Sequence, residues 1–225
     1  MGYLIAFDGI DASGKTTQAK ILEKKLRESG KEIQYLSFPV YESESSSLVR
    51  LYLGGALGAS PDMVNAYAAS SFFAADRYIS YLSDWGEFYN KKDHIILANR
   101  YTTANAVHQL SKLPKTEWDK FLDWLYDYEF KKLKIPAPNL TIFFDMHPDV
   151  AIKLIEERAK KTRSKPDIHE GDFEYLVRCY EAGHYAAKYF NWELIVCYRS
   201  EAGVLVPKSE EEISNSLLEL VLWHI

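Results

Sequence analysis

The stretch Tyr3-Leu4-Ile5-Ala6-Phe7-Asp8-Gly9-Ile10-Asp11-Ala12-Ser13-Gly14-Lys15-Thr16-Thr17-Gln18 decides the reading of this chain. Its first five residues are continuously apolar, as in a strand buried on both faces of a parallel sheet. Gly9 to Thr16 then places two glycines five apart ahead of Lys15 and Thr16, the pattern of a phosphate-binding P-loop. Glycines let the backbone curl until successive N–H groups point inward, and the helix starting near Lys15 adds the positive end of its dipole. Gly9, Ile10, Asp11, Ala12, Ser13, Gly14, Lys15, Thr16 and Thr17 are therefore expected to hold the phosphates of a nucleoside triphosphate. Lys15 is expected to reach the β- and γ-phosphates, and the Thr16 hydroxyl to hold Mg²⁺, with Asp11 as a second metal candidate.

Outward from this loop, apolar runs alternate with helical spacing. Strands are expected at Ile33 to Phe38, Ile95 to Ala98, Leu140 to Phe144 and Leu194 to Val196, with Pro39 closing the second. A helix follows the loop until Gly30. Another opens at Ser60-Pro61-Asp62 and runs past Tyr81, and others start near Thr116, Val150, Phe173 and Glu210. Strands alternating with helices imply right-handed crossovers, so the expected fold is α/β, a five-stranded parallel sheet flanked by helices, of the P-loop nucleoside triphosphate hydrolase type. No linker splits residues 1–225, which read as one domain with a lid around 158–171, where Lys and Pro accumulate.

With 27 Lys and Arg against 32 Asp and Glu, the net charge is -5, which argues against a general binder of nucleic acid or membrane surfaces. No run has the length of a membrane span. The first residues lack the basic flank of a secretory signal, and the two cysteines, Cys179 and Cys197, have no metal-ligand spacing. A cytoplasmic protein with reduced thiols is expected.

Three further segments carry a resemblance. Phe73-Ala74-Ala75-Asp76-Arg77, Asn99-Arg100-Tyr101 followed by Asn105 and Gln109, and Asp167-Ile168-His169-Glu170 after a basic stretch fall in the order and spacing of thymidylate kinases. The loop flanked by Phe7-Asp8 and Thr17-Gln18 also resembles the opening of that family. The resemblance implies that the triphosphate is ATP and that the enzyme moves its γ-phosphoryl to dTMP, with Mg²⁺, as a homodimer. It implies that Phe73 stacks on thymine and that Arg77, one helical turn on, donates to a base carbonyl. Asn105 would meet the N3 edge, and His108 would lie near the sugar. Phe38, Asp11, His169 and Glu170 would complete the dTMP site. Arg100 would bridge acceptor and donor phosphates. Ala12 stands where some members carry a loop arginine, which makes Arg158 and Arg163 of the lid the candidates for clamping the transferred group.

The chain also departs from the pattern. Asn99 stands where the family has Asp, Ala104 where many members have Ser, and Tyr41 where some have an arginine. Two alternatives stay open at this level: a kinase for another monophosphate such as dUMP or dCMP, and a nucleotide-binding relative with weak or no turnover.

Overall fold

The computed structural model describes residues 1–58, 60–162 and 173–225. Strands β1 (Tyr3–Asp8), β2 (Glu32–Ser37), β3 (His94–Asn99), β4 (Leu140–Asp145) and β5 (Glu193–Val196) form a five-stranded sheet in the order β2-β3-β1-β4-β5. All four pairings are parallel. Asp8, Ser37, Asn99 and Asp145 thus end their strands on one edge, with Ser37 in register with Asn99. In open α/β sheets ligands bind at that edge, where connections leave in opposite directions. Here β1 is that point, with β3 on one side and β4 on the other.

The unbroken apolar runs are explained by two cores, one on each face. Ile5 and Phe7 of β1 and Ile95 and Leu97 of β3 pack into one. Leu4, Ala6, Ile96 and Ala98 pack into the other, with Trp85, Tyr89 and Tyr101. Side chains alternate across a strand, so a strand serving two cores has no polar face.

Helices α1 (Lys15–Glu28), α2 (Ser47–Leu53), α3 (Ala66–Ser80), α4 (Gly86–Tyr89), α5 (Thr102–His108), α6 (Trp118–Tyr126), α7 (Pro148–Thr162), α8 (Phe173–Phe190) and α9 (Glu210–His224) cover the sheet. The helix expected from Ser60 starts later. Ser60 caps only a single 3₁₀ turn, Val64 is extended, and α3 begins at Ala66 with the Asn65 side chain accepting from Ala68 N at 2.8 Å. Short α2 and α5 were not anticipated. Nor was a hairpin of β6 (Tyr198–Glu201) and β7 (Val204–Pro207), turning at Ala202 and Gly203 with φ 49° and 82°. Two consecutive positive-φ residues suit the twist of a two-residue hairpin loop. After it, Ser209 and Glu212 form a reciprocal cap on α9.

Candidate active site

The phosphate loop follows β1 as its sequence requires. Gly9 has φ 153°, and a Cβ there would come within 2.7 Å of the Phe144 carbonyl oxygen. Gly14 sits in the left-handed region at φ 83° and precedes α1, whose N-terminus carries no side-chain cap. The ladder of α1 begins with Gln18 N donating to Gly14 O at 3.0 Å, so the amides of its first turn offer their positive end to the loop. Lys15 lies across this loop, donating to Ile10 O at 3.1 Å, with its ammonium 3.8 Å from Asp11. Thr16 and Thr17 are exposed.

Beside the loop mouth opens a cavity of about 250 Å³. Its walls include Asp11, Phe38, Phe73, Arg77, Arg100, Asn105 and His108, which arrive from the loop, the end of β2, α3, the end of β3 and α5. Every acceptor-site residue expected from sequence and lying among the described residues is in that lining. Tyr41, Tyr52, Gln109 and Tyr175 line it too. Tyr52 and Tyr175 were not anticipated. Tyr52 packs edge-on against Phe73 at 6.1 Å between centroids and so sets the tilt of that ring.

Two carboxylates organise the cationic side chains. Glu129, buried in the π-helical turn Asp127–Lys132, accepts from Arg77 Nε at 2.7 Å and Arg77 Nη2 at 2.6 Å. It also accepts from Thr102 Oγ1 at 2.8 Å and Asn105 Nδ2 at 3.4 Å. A further Arg77 nitrogen donates to Tyr101 O at 3.3 Å. Arg77 therefore reaches the cavity as part of its wall, with only its remaining N–H groups able to meet a ligand. Glu129 was missed because its neighbours Asp127, Lys131 and Lys132 give the segment the composition of a solvated face.

At the mouth, Arg100 Nη2 donates to Asp11 Oδ1 at 2.6 Å, and Arg100 Nη1 lies 2.5 Å from His108 Nε2. Burial would raise the Asp11 carboxyl, but the Arg100 guanidinium and the Lys15 ammonium outweigh it and hold the group well below the usual carboxylate range. Burial pushes the neighbouring Asp8 carboxyl up, against the pull of Arg100 and Lys15. Asp8 accepts from Gly9 N at 2.9 Å and Thr103 Oγ1 at 2.8 Å.

Among the described residues no group of three or more His, Cys, Asp or Glu side chains could hold a metal ion. Mg²⁺ takes few protein ligands, because it keeps waters and arrives with phosphate oxygens. Asn99 Nδ2 donates to Thr16 Oγ1 at 3.1 Å and to Ser37 Oγ at 3.2 Å, while Asn99 Oδ1 is buried without a hydrogen-bond partner. The Thr16 hydroxyl fits a cation brought by a nucleotide, next to this unmatched oxygen. Asp11, the second metal candidate, has the same Oδ1 already shared by Arg100 and Lys15. In this geometry that oxygen is the arginine's counter-ion. Arg158 is exposed on α7. Arg163, His169 and Glu170 lie outside the described residues, as does most of the segment read as a lid.

The thymidylate kinase family model matches residues 7–196. This chain belongs to the thymidylate kinase family. It is 27% identical over 178 residues to a thymidylate kinase of Mycobacterium tuberculosis, covering 78% of this chain and 81% of that protein. It is 29% identical over 171 residues to a probable thymidylate kinase of Methanococcus maripaludis, covering 76% and 73%. The solved structure of thymidylate kinase from Candida albicans superposes with a TM-score of 0.70 at 20% identity, covering 100% of this chain and 94% of that one, a likeness of fold. The family match ends at 196, so the β6–β7 hairpin follows it. The family is ATP-dependent and acts on nucleotides, and no helix among the described residues is long and apolar enough to cross a membrane.

Proposed function

We propose that this chain transfers the γ-phosphoryl group of ATP to dTMP, giving ADP and dTDP. One observation carries the reading: a base-sized cavity with Phe73, Asn105 and Arg77 inside it and Arg100 at its mouth abuts a phosphate loop.

The hydrogen bonds already made assign the remaining valences. Asn105 Nδ2 is directed to Ser70 O and Glu129, which leaves its Oδ1 to accept from a base N3–H. Arg77 has N–H groups left to donate to a carbonyl. Acceptor beside donor matches thymine or uracil and mismatches cytosine, whose N3 accepts and whose N4 donates. Phe73 would cover the ring face, and Phe38 lines the same cavity. His169 and Glu170 remain candidates for the same ligand.

The acceptor is a phosphate monoester, largely dianionic above a second pKa of about 6, so no general base is needed. The residues have to align two anions and offset their repulsion. Lys15 and the loop amides would hold the donor phosphates. Arg100 would turn from Asp11 toward both phosphates, and Arg158 and Arg163 would clamp the transferred group. Mg²⁺ held at Thr16 would neutralise charge on the donor phosphates. We place the enzyme in the cytoplasm as a homodimer.

The test is ADP release with dTMP, dUMP, dCMP and AMP as acceptors. dTMP is expected to be best, with dUMP roughly 10- to 200-fold poorer for want of one methyl and dCMP and AMP near background. Lys15→Ala should lose transfer while its melting temperature stays close to that of the native chain. Turnover close to normal in that variant, or AMP as the preferred acceptor, would contradict the reading.

A further inference from the structure

A guanidinium has five N–H donors and no acceptor. The 2.5 Å contact between Arg100 Nη1 and His108 Nε2 is therefore a hydrogen bond only if Nε2 carries a lone pair. The imidazole must then be neutral with its hydrogen on Nδ1. That atom lies 3.0 Å from the Tyr175 hydroxyl and 3.5 Å from Cys179 Sγ, so Nδ1–H donates into α8. Burial keeps both partners protonated, pushing the Tyr175 phenol well above its usual value and the Cys179 thiol up to about 12. The rings of His108 and Tyr175 are nearly parallel, 6.1 Å apart and inclined by 23°.

We propose that His108 is a positioning residue for Arg100. As the neutral Nδ1–H imidazole it ties the guanidinium at the cavity mouth to Tyr175, the third residue of α8. Asp11 holds one nitrogen of Arg100 and His108 the other, so the plane of the guanidinium is set from two elements at once. Protonating the imidazole would turn Nε2 into a donor facing a donor and bring a second positive charge against Arg100. Asp11 opposes that charge from the loop, and Asp8 from β1 and Tyr41 face Arg100 itself, with Lys15 beside both carboxylates. On the other side stand Tyr175, Cys179 and Arg178, whose guanidinium lies 5.8 Å from the Tyr175 ring centroid, and the turn after α5 carries Lys112. An imidazole changes charge within the range where such an enzyme is assayed, so the hold on Arg100 is pH-dependent. The consequence for turnover rests on the reading of Arg100 as the phosphate bridge.

Nitrogen-15 NMR of the histidine side chains in the full chain, assigned with His108→Gln, tests the tautomer without any turnover. Nδ1–H with an unprotonated Nε2 at about pH 8 is expected, and Nε2–H would overturn the proposal. In kinetics, His108→Ala should lower kcat with dTMP roughly ten- to a hundred-fold, with MgATP affinity by calorimetry unchanged. His108→Gln, which returns an acceptor close to the Nε2 position, should recover part of that loss. It should also show only the acid limb of the substrate phosphate, near pH 6, where the native chain shows a second ionisation. Equal losses in the two variants, or a Gln profile identical to the native one, would overturn it. Should His108→Ala fail to fold, the tautomer and the Gln profile still decide. A native chain with no dTMP transfer would instead sink the proposed function and leave the tautomer result standing.

Discussion

Arg77 and Arg100 line the same cavity, and each faces a carboxylate at 2.6 Å, yet the two pairs differ in their access to water. The Arg77–Glu129 side chains are 2% and 0% exposed, whereas Arg100 and Asp11 are 23% and 17% exposed. Separating a sealed pair strands a charge in a poorly polarisable interior. A pair at the cavity mouth can exchange one anion for another, because water and an incoming phosphate share the cost. Arg77 is thus sealed into the wall, whereas Arg100 keeps access to water. Glu129 holds the wall by accepting from Arg77, Thr102 and Asn105 together.

The contrast is broken most severely at the mouth. Arg100→Ala is expected to lower kcat by about 10³-fold with little change in melting temperature. A loss of stability matching the loss of rate would show that this pair, too, is structural. Asp11 does not complicate the pH profile. Its folded pKa is depressed, so its stabilising contribution is complete above the unfolded value of about 3.9 and is lost only as pH falls through the lower folded value.

The wall should respond in the opposite currency. Glu129→Gln keeps the shape and removes the charge, and is expected to cost about 3–5 kcal/mol of stability, or roughly 10 °C in melting temperature. The variant that remains folded should show a raised KM for dTMP. An unchanged melting temperature would mean that Arg77 finds another counter-charge and that the two pairs are alike.

A smaller effect should sharpen the comparison from the donor side. Asn99 is a neutral group between Thr16 and Ser37, with its oxygen unmatched. Asn99→Asp adds a carboxylate where a cation would sit, and turnover at fixed MgATP is expected to rise by severalfold. No change would show that an amide suffices at this position.

The phosphate loop was legible in the sequence because everything it does is local. Gly9 and Gly14 adopt conformations that their missing Cβ permits, and Lys15 and Thr16 follow by covalent spacing alone. Phe73 and Arg77 were picked out by the resemblance to thymidylate kinases, and their spacing of four adds only that they share a helix face. The β6–β7 hairpin left a signal in Ala202-Gly203 between two alternating runs, but four-residue strands are too short for periodicity to stand out. Glu129, 52 residues from Arg77, left none. A carboxylate bound for the interior and one bound for water look alike until packing decides which is covered.

Chain-local chemistry thus determined the parallel sheet and the phosphate loop, because strand burial, glycine conformation and helical spacing act over a few residues. The expected cavity residues came from the resemblance to thymidylate kinases. Only the tertiary structure decided which arginine is sealed from water and which stays open to it. It also decided that His108 faces Arg100 on one side and Tyr175 on the other. Ion pairs and tautomers depend on distances and burial that arise when remote segments meet, and no spacing along the chain encodes them.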